Sequence, residues 1–511
     1  MRLTVIGTGY LGAVHAACMA EIGHDVLGVD SDAAKIKELA VGSPPFFEPG
    51  LGEILGRNVR SGRLRFTTSL REAAGFGDVH FICVGTPQQR DSPAADLRHV
   101  DAVVTGLAPH LHRRCLIVGK STVPVGTTVR LASLVDGLAP EGGGAEIAWN
   151  PEFLREGYAV QDTLRPDRLV SGVLSSQADQ TLRAVYAPML AAGVPYLCTD
   201  PATAELVKVA ANSFLATKIS FINAMAEVCD AAGADVATLA EAIGHDTRIG
   251  RRFLSAGLGF GGGCLPKDIR AFAARAREMG VGHAVDFLHE IDAINLRQRR
   301  RALDVARDLA GGDLAGRRVA VLGVTFKPDS DDVRDSPALA VAEAALREGA
   351  ELSIHDPEGA ENARAVLPGA EYAPDAVTAC RDADVVLHLT EWAAYRALDP
   401  AALAPLVRTP RILDARNALD APRWRAAGWT VRALGRPAPG GAAGPAASLL
   451  PGQQPAAGVR QPAGEAGGSV RDSALDLALD SVRDSVRDSV RDSADGWTAP
   501  IDLEPLRGVP K

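Results

Sequence analysis

Short apolar runs alternate with longer segments of helical spacing through the first half of the chain. Leu3 to Gly7, Val26 to Asp30, Val79 to Val84, Leu116 to Gly119 and Ile147 to Trp149 read as buried strands. Amphipathic or Ala-rich segments lie between several of them, and this alternation predicts a parallel sheet with helices on both faces. The pattern changes near Pro201. Ala204 to Ala232 keeps helical apolar spacing without Gly or Pro, and Ala284 to Leu309 is a second such run. A helix over the first run extends about 43 Å at 1.5 Å per residue, long enough to bridge domains or to pack on a copy of itself. A second α/β stretch begins near Arg317. Val319 to Gly323, Glu351 to Asp356, Val385 to Leu389 and Arg411 to Asp414 read as strands, and Pro337 to Glu348 as a helix.

After Arg436 the pattern fades. Gly, Pro and Ala dominate to Gly468, and Val-Arg-Asp-Ser then recurs at 470–473, 482–485, 486–489 and 490–493. Such a segment buries too little apolar surface to offset its chain entropy, so a disordered extension is expected. The four-residue period would align the valines of a transient helix, which leaves an unidentified docking partner as the other reading.

Composition narrows the class. The 511 residues are 47% hydrophobic and 23% charged, as in ordinary globular proteins. A net charge of -9 and the lack of a long basic run argue against a nucleic-acid binder. No apolar run is long enough for a membrane span, and Met1 to Gly7 is a strand rather than a signal peptide. The seven cysteines, Cys18, Cys83, Cys115, Cys198, Cys229, Cys264 and Cys380, are scattered, which excludes a CxxC zinc or redox motif and gives no disulfide framework. A reducing cytoplasm is the simplest setting.

Gly7-Thr8-Gly9-Tyr10-Leu11-Gly12 follows a strand and opens a helix, and Asp30 ends the next strand. In that context the glycines permit a tight turn and bring a pyrophosphate to a helix N-terminus. Asp30 accepts from an adenine ribose and repels a 2′-phosphate, which favours NAD over NADP, although Lys35 lies one helical turn beyond. The expected fold class is α/β, with a Rossmann-like doubly wound NAD domain at 1–200 and a helical dimerisation region at 201–310. A second Rossmann-like domain follows at 311–436, and the tail occupies 437–511.

A second motif carries the chemistry. Gly259-Phe260-Gly261-Gly262-Gly263-Cys264-Leu265-Pro266-Lys267-Asp268 sets one cysteine among glycines beside a cation and a carboxylate. A thiol needs positive charge and access to act as a nucleophile. Lys208 and Asn212 stand four residues apart on one helix face, where both can address one oxygen.

These motifs, with Gly85-Thr86-Pro87, Lys120 to Thr127, Asn150 to Gly157, Glu205 to Lys218 and Gly323 to Pro328, resemble the UDP-glucose 6-dehydrogenase family, within the UDP-glucose/GDP-mannose dehydrogenases. The resemblance covers residues 1–436. Gly263 departs from it, since relatives often carry Ser there. It implies NAD-dependent, four-electron oxidation of UDP-glucose through a thiohemiacetal and a thioester on Cys264. It implies a homodimer. GDP-mannose or another nucleotide sugar is the alternative substrate, and a non-catalytic nucleotide-sugar binder is the alternative class. It places Lys208, Asn212, Asp268, Thr122 and Glu152 with Cys264 in catalysis. It places Gly7, Gly9, Tyr10, Leu11, Gly12, Asp30, Lys35, Thr86, Thr122, Glu156, Lys267 and Arg334 at the cofactor. At the UDP-sugar it places Glu152, Phe153, Leu154, Glu156, Lys208, Asn212, Phe260, Gly261, Lys327 and Arg416, with Arg248 contributed by a neighbouring subunit.

Overall fold

The computed structural model describes residues 1–437. The tail expected after Arg436 lies, beyond Pro437, outside the described residues. The first sheet contains β1 (Arg2–Ile6), β2 (Asp25–Val29), β3 (Leu64–Thr67), β4 (Val79–Ile82), β5 (Cys115–Gly119), β6 (Ala145–Trp149), β7 (Leu169–Gly172) and β8 (Tyr196–Thr199). The second contains β9 (Arg318–Leu322), β10 (Glu351–His355), β11 (Glu371–Tyr372), β12 (Val385–His388), β13 (Arg411–Asp414) and β14 (Thr430–Ala433).

The spatial orders are β3-β2-β1-β4-β5-β6-β7-β8 and β11-β10-β9-β12-β13-β14. Pairing is parallel throughout both sheets except at β6 and β7. Each order reverses beside its first strand, at β1/β4 and at β9/β12, and such switch points open a crevice at the strand C-termini. Alternation along each strand fills two cores per sheet. Leu116 and Val118 of β5 join the cluster on one face, while Cys115 and Ile117 join that on the other. Each fully buried Val, Leu or Phe contributes roughly 1.5–3 kcal/mol.

The expected fold class is observed. Strands missed in the sequence are β3, β7, β8, β11 and β14, all of four residues or fewer. Length alone is not the reason, since β4, β12 and β13 are as short and are legible; β3, β8, β11 and β14 are only partly buried, and β7 ends in Ser171 and Gly172, so none shows a continuous apolar run.

The helix Pro201–Ala232 starts where Asp200 accepts from the Thr203 N–H at 2.9 Å with Pro201 in its first turn. It stops at Gly233, whose φ of 71° is left-handed. At 32 residues it is about 48 Å long. The second expected helix begins three residues late, at Phe287, because Gly282–Val285 forms a 3₁₀ turn, and it ends at Ala310. Among the described residues no helix is long and apolar enough to cross a membrane.

Replacing Asp200 with Ala removes the cap of the longest helix. The expected result is a lower midpoint in thermal or denaturant unfolding. An unchanged midpoint would show that packing alone sets this helix end.

Candidate active site

The fingerprint loop leaves a backbone cradle at the first switch point. Gly7 turns with φ +91°, and the helix Tyr10–Glu21 begins at Gly9 with no side-chain cap. Its first N–H groups therefore face outward, a ready site for an anion. A Cβ at Gly12 would lie 1.7 Å from the Gly7 carbonyl oxygen, so close packing demands glycine there. At Gly9, its own neighbours aside, nothing among the described residues comes within 4 Å of a Cβ position, so the backbone there is open to approach.

Asp30 stands just beyond β2. Its Oδ2 accepts from the Thr8 N–H (2.9 Å), the Thr8 hydroxyl (3.0 Å) and Lys35 Nζ (3.0 Å), and its Oδ1 from the Asp32 N–H (3.0 Å). Partial burial raises its pKa, but the bonds from Asp32, Lys35 and Thr8 outweigh that and leave it below the usual carboxylate range. Lys35 is thus engaged by Asp30 itself and does not offset the preference for NAD. These residues fit a dinucleotide with an unphosphorylated ribose. Thr86 donates to the Thr122 carbonyl at 2.7 Å, joining the loops after β4 and β5. Leu11 is half-buried against the core, and Tyr10 sends its hydroxyl to Glu48.

Two other segments, the long helix and the loop after β6, bring charged groups to Cys264 beside those of its own helix. The long helix buries Lys208 and Asn212 on one face. Lys208 Nζ pairs with Glu152 Oε1 at 2.9 Å, and Glu152 Oε2 accepts from the Leu154 N–H at 2.8 Å. Asn212 Nδ2 donates to Asp268 Oδ2 at 2.7 Å, while Lys267 Nζ meets Asp268 Oδ1 at 2.5 Å. In this state the two helix residues therefore hold two different carboxylates rather than one shared oxygen. Phe153 lies 5.7 Å from Lys208 Nζ and stacks under Arg168 at 3.9 Å. Lys267, Asp268, Thr86 and Thr122 line one hollow together with Pro87 and Arg275.

Cys264 sits at the N-cap of the helix Leu265–Glu278. The residue is exposed, although many protein atoms lie around its thiol. Desolvation and the Asp268 charge push the thiol up to about 12, while Lys208 pulls it down. Lys208 itself is drawn down by desolvation but held above its ordinary value by Glu152, Cys264 and Asp268. A protonated thiol beside a firmly charged ammonium is the resting arrangement.

A second cluster lies where the loop after β6 meets the loop after β9. Lys327 Nζ donates to the Glu156 carbonyl at 2.6 Å, the Ser330 hydroxyl reaches Glu156 Oε2 at 3.3 Å, and Arg334 approaches Glu156 Oε1 at 3.5 Å. Burial and Asp332 push the Glu156 carboxyl up to about 7 against Lys327 and Arg334. Arg334 also pairs with Asp332 at 2.7 Å, and its guanidinium rests where a side chain at Gly263 would begin. Arg416 donates to the carbonyls of Leu389, Gly259 and Phe326 at 2.7, 3.0 and 3.1 Å. The Gly262 N–H donates to the Arg334 carbonyl at 2.9 Å, which ties the Phe260–Gly261 segment to the same loop. Arg248 is not part of either cluster. Its side chain is 87% exposed and, among the described residues, pairs only with Asp246.

Sequence reasoning missed the groups that hold these loops. Buried Glu48 accepts from the Gly157 and Ala159 N–H groups at 2.7 Å each. Buried Asn295 accepts from the Phe260 N–H at 2.8 Å and returns a bond to the Phe260 carbonyl at 2.9 Å. A Cβ at Gly259 would lie 2.2 Å from Asn295 Oδ1. A polar residue inside an apolar helical run was the available signal in Asn295.

A dinucleotide cradle in a chain that also sets a cysteine at a helix N-terminus beside Lys208 and Asp268 is the equipment of an NAD-dependent oxidoreductase. Residues 1–190 match the NAD binding domain of the UDP-glucose/GDP-mannose dehydrogenase family, residues 202–297 its central domain, and residues 320–421 its UDP binding domain. The chain belongs to that family. It is 42% identical over 439 residues to the UDP-glucose 6-dehydrogenase of Rhizobium meliloti, covering 86% of this chain and 100% of that one. With the UDP-glucose 6-dehydrogenase YwqF of Bacillus subtilis the identity is 40%, over 86% of this chain and 98% of that one. The solved UDP-glucose dehydrogenase of Pyrobaculum islandicum superposes with a TM-score of 0.77 at 40% identity, over 83% of this chain and 96% of that one.

The signs of the charges around Cys264 are testable by iodoacetamide labelling at pH 8, read by mass spectrometry. Because the thiol is raised, labelling should climb with pH across the whole range from 7 to 10. Asp268→Asn removes a charge that raises the thiol, so labelling should quicken several-fold. Lys208→Met removes one that lowers it, so labelling should slow. Rates unchanged in both variants would remove this electrostatic account.

Proposed function

We propose that this protein oxidises the C6 hydroxyl of UDP-glucose to the carboxylate of UDP-glucuronate, with two NAD⁺ reduced and one water consumed. The reading is carried by the Cys264 cluster, set in a chain that aligns nearly end to end with UDP-glucose 6-dehydrogenases. The overall balance is alcohol + 2 NAD⁺ + H₂O → carboxylate + 2 NADH + 3 H⁺.

NAD⁺, when bound, accepts one hydride from C6 at each oxidation. The chain's residues do the rest. Gly9 and the helix N-terminus behind it hold the pyrophosphate, and Asp30 the ribose. Thr86, Thr122, Glu156, Lys267 and Arg334 line the cofactor's course. Lys327, Phe260, Gly261 and Arg416 receive the UDP-sugar, with Phe153 and Leu154 on the sugar side.

After the first oxidation C6 is an aldehyde. The Cys264 sulfur forms a bond to C6, and the carbonyl electron pair moves to oxygen. Lys208 and Asn212 stabilise that oxyanion, a service for which a single donor commonly contributes about 3–4 kcal/mol. Loss of hydride from the thiohemiacetal carbon leaves a thioester. Water then adds to the thioester carbon, the C–S bond breaks, and the thiolate departs. Glu152 and Asp268 handle the protons of these steps, and Thr122 orients water.

Purified protein with NAD⁺ and UDP-glucose should form about two NADH per sugar, and GDP-mannose should be a poor substrate. Cys264→Ser should lower turnover by at least about a thousandfold, because a serine hydroxyl forms its anion far less readily than a thiol. A stoichiometry of one with free aldehyde, or near-normal turnover without Cys264, would sink the covalent route.

We read the active form as a homodimer. Phe214, Phe221 and Val228 recur at seven-residue spacing on the long helix and are 66%, 46% and 56% exposed, with Leu206 about two turns further back. That apolar stripe supports burial against a second copy, and the exposed Arg248 then reaches the partner's substrate. Arg248→Ala and Cys264→Ser should each be inactive alone. Mixing and re-pairing the two should restore part of the activity, because some sites then combine an intact Cys264 with an intact Arg248. No recovery in a population shown to re-pair would refute the shared site. The seven unpaired cysteines support a cytoplasmic setting for the enzyme.

A further inference from the structure

The loop Thr122 to Gly126 connects β5 to the helix Thr127–Leu138, and its two ends are held in different ways. The inner end is tied within the first sheet's own loops. Ser121 donates to the Val84 carbonyl at 2.6 Å, and Thr86 donates to the Thr122 carbonyl at 2.7 Å. The outer end is tied to the central helices. Glu205 Oε2 accepts from the Gly126 N–H at 2.7 Å, and its Oε1 accepts from the Thr128 N–H at 2.7 Å and the Thr128 hydroxyl at 2.6 Å. Arg275 donates to the Val125 carbonyl through Nη2 at 2.8 Å and Nε at 3.1 Å.

Glu205 is only 2% exposed, and no Lys or Arg pairs with it among the described residues. A buried carboxylate answered by backbone and hydroxyl donors alone is an expensive way to fill space, where an apolar side chain would pack without that cost. Its position gives the reason. Glu205, Lys208 and Asn212 lie three and then four residues apart, on one helix face. Asp268 and Arg275 lie seven apart on one face of the neighbouring helix. Each helix that carries proposed catalytic groups also grips the Thr122 loop.

We propose that Glu205 and Arg275 form a clamp that sets Thr122 in register with Lys208, Asn212 and Asp268, which makes both of them positioning residues for the reaction. The proposal rests on the reading that Thr122 works at the site. The clamp transfers the placement of the central helices to a loop of the cofactor domain, over a distance at which a displacement of about 1 Å can cost a hundredfold in rate. Glu205→Gln leaves one oxygen in place of two and turns an amide donor toward a donor, so it releases one side of the grip at nearly constant volume.

A double-mutant cycle in the full-length protein tests the clamp. The variants are Thr122→Ala, Glu205→Gln and the pair, with kcat, KM for UDP-glucose and thermal midpoint measured for each. Glu205→Gln should lower kcat about tenfold while KM stays within twofold. The pair should lose no more than Thr122→Ala loses alone, since both act through one loop. Losses that multiply, or a kcat within twofold of the parent in Glu205→Gln, overturn the clamp alone. Full turnover in Thr122→Ala overturns the role given to Thr122 and the clamp with it. If Glu205→Gln does not fold, Arg275→Met opens the other arm and enters the same cycle with the same criteria.

Discussion

Everything at the site depends on one buried polar face of a helix. Glu205, Lys208 and Asn212 are each nine-tenths buried or more, and each is answered by a different segment of chain. Glu205 meets the start of the helix after β5, Lys208 meets the loop after β6, and Asn212 meets the first turn of the Cys264 helix. A polar group in such surroundings costs free energy unless it is paired. Misplacement of any one of the three loops leaves an unpaired group, so the helix enforces their mutual geometry.

The rest of the molecule supplies what this face needs. The first sheet delivers two of the loops from the C-terminal ends of β5 and β6. The second sheet delivers the wall opposite, through Lys327, Ser330 and Arg334. Between them runs the glycine segment before Cys264. It lies close enough to Asn295, Phe326 and Arg334 that side chains there would collide with them. Glycine in that segment therefore serves close approach as much as backbone freedom.

Much of this was legible in the sequence. The fingerprint loop with Asp30 identified the first sheet, because each residue type in it answers a local demand of backbone or charge. The Cys264 segment drew attention for the same reason. Strands such as β8 and β11 escaped because their partly exposed positions give no continuous apolar run. Glu48 and Asn295 escaped for a different reason. A lone acid or amide reads as a solvated residue until a distant backbone N–H is placed against it, and the backbone partners of Glu48 are more than a hundred residues away. Contacts of that span leave no trace in local pattern, whereas Asn295 at least stands out on its helix.

The two sheets repeat one design, and the repeat has a consequence at their matching carboxylates. Asp30 follows β2, and Asp356 follows β10. Asp356 Oδ2 accepts from the N–H groups of Val324 and Thr325 at 2.7 and 3.0 Å, and its Oδ1 from those of Glu358 and Gly359 at 3.1 and 2.8 Å, with only 3% of the residue exposed. Gly323 meets Thr390 at 2.4 Å much as Gly7 meets Val84 at 2.7 Å, so both first turns are tight. Asp30 accepts a similar set of bonds but leaves 11% of its side chain exposed. The second copy keeps its acidic residue as a brace sealed from solvent, while the first leaves its own within reach of a ligand. One repeated fold thus presents an accessible carboxylate beside one sheet and a sealed one beside the other.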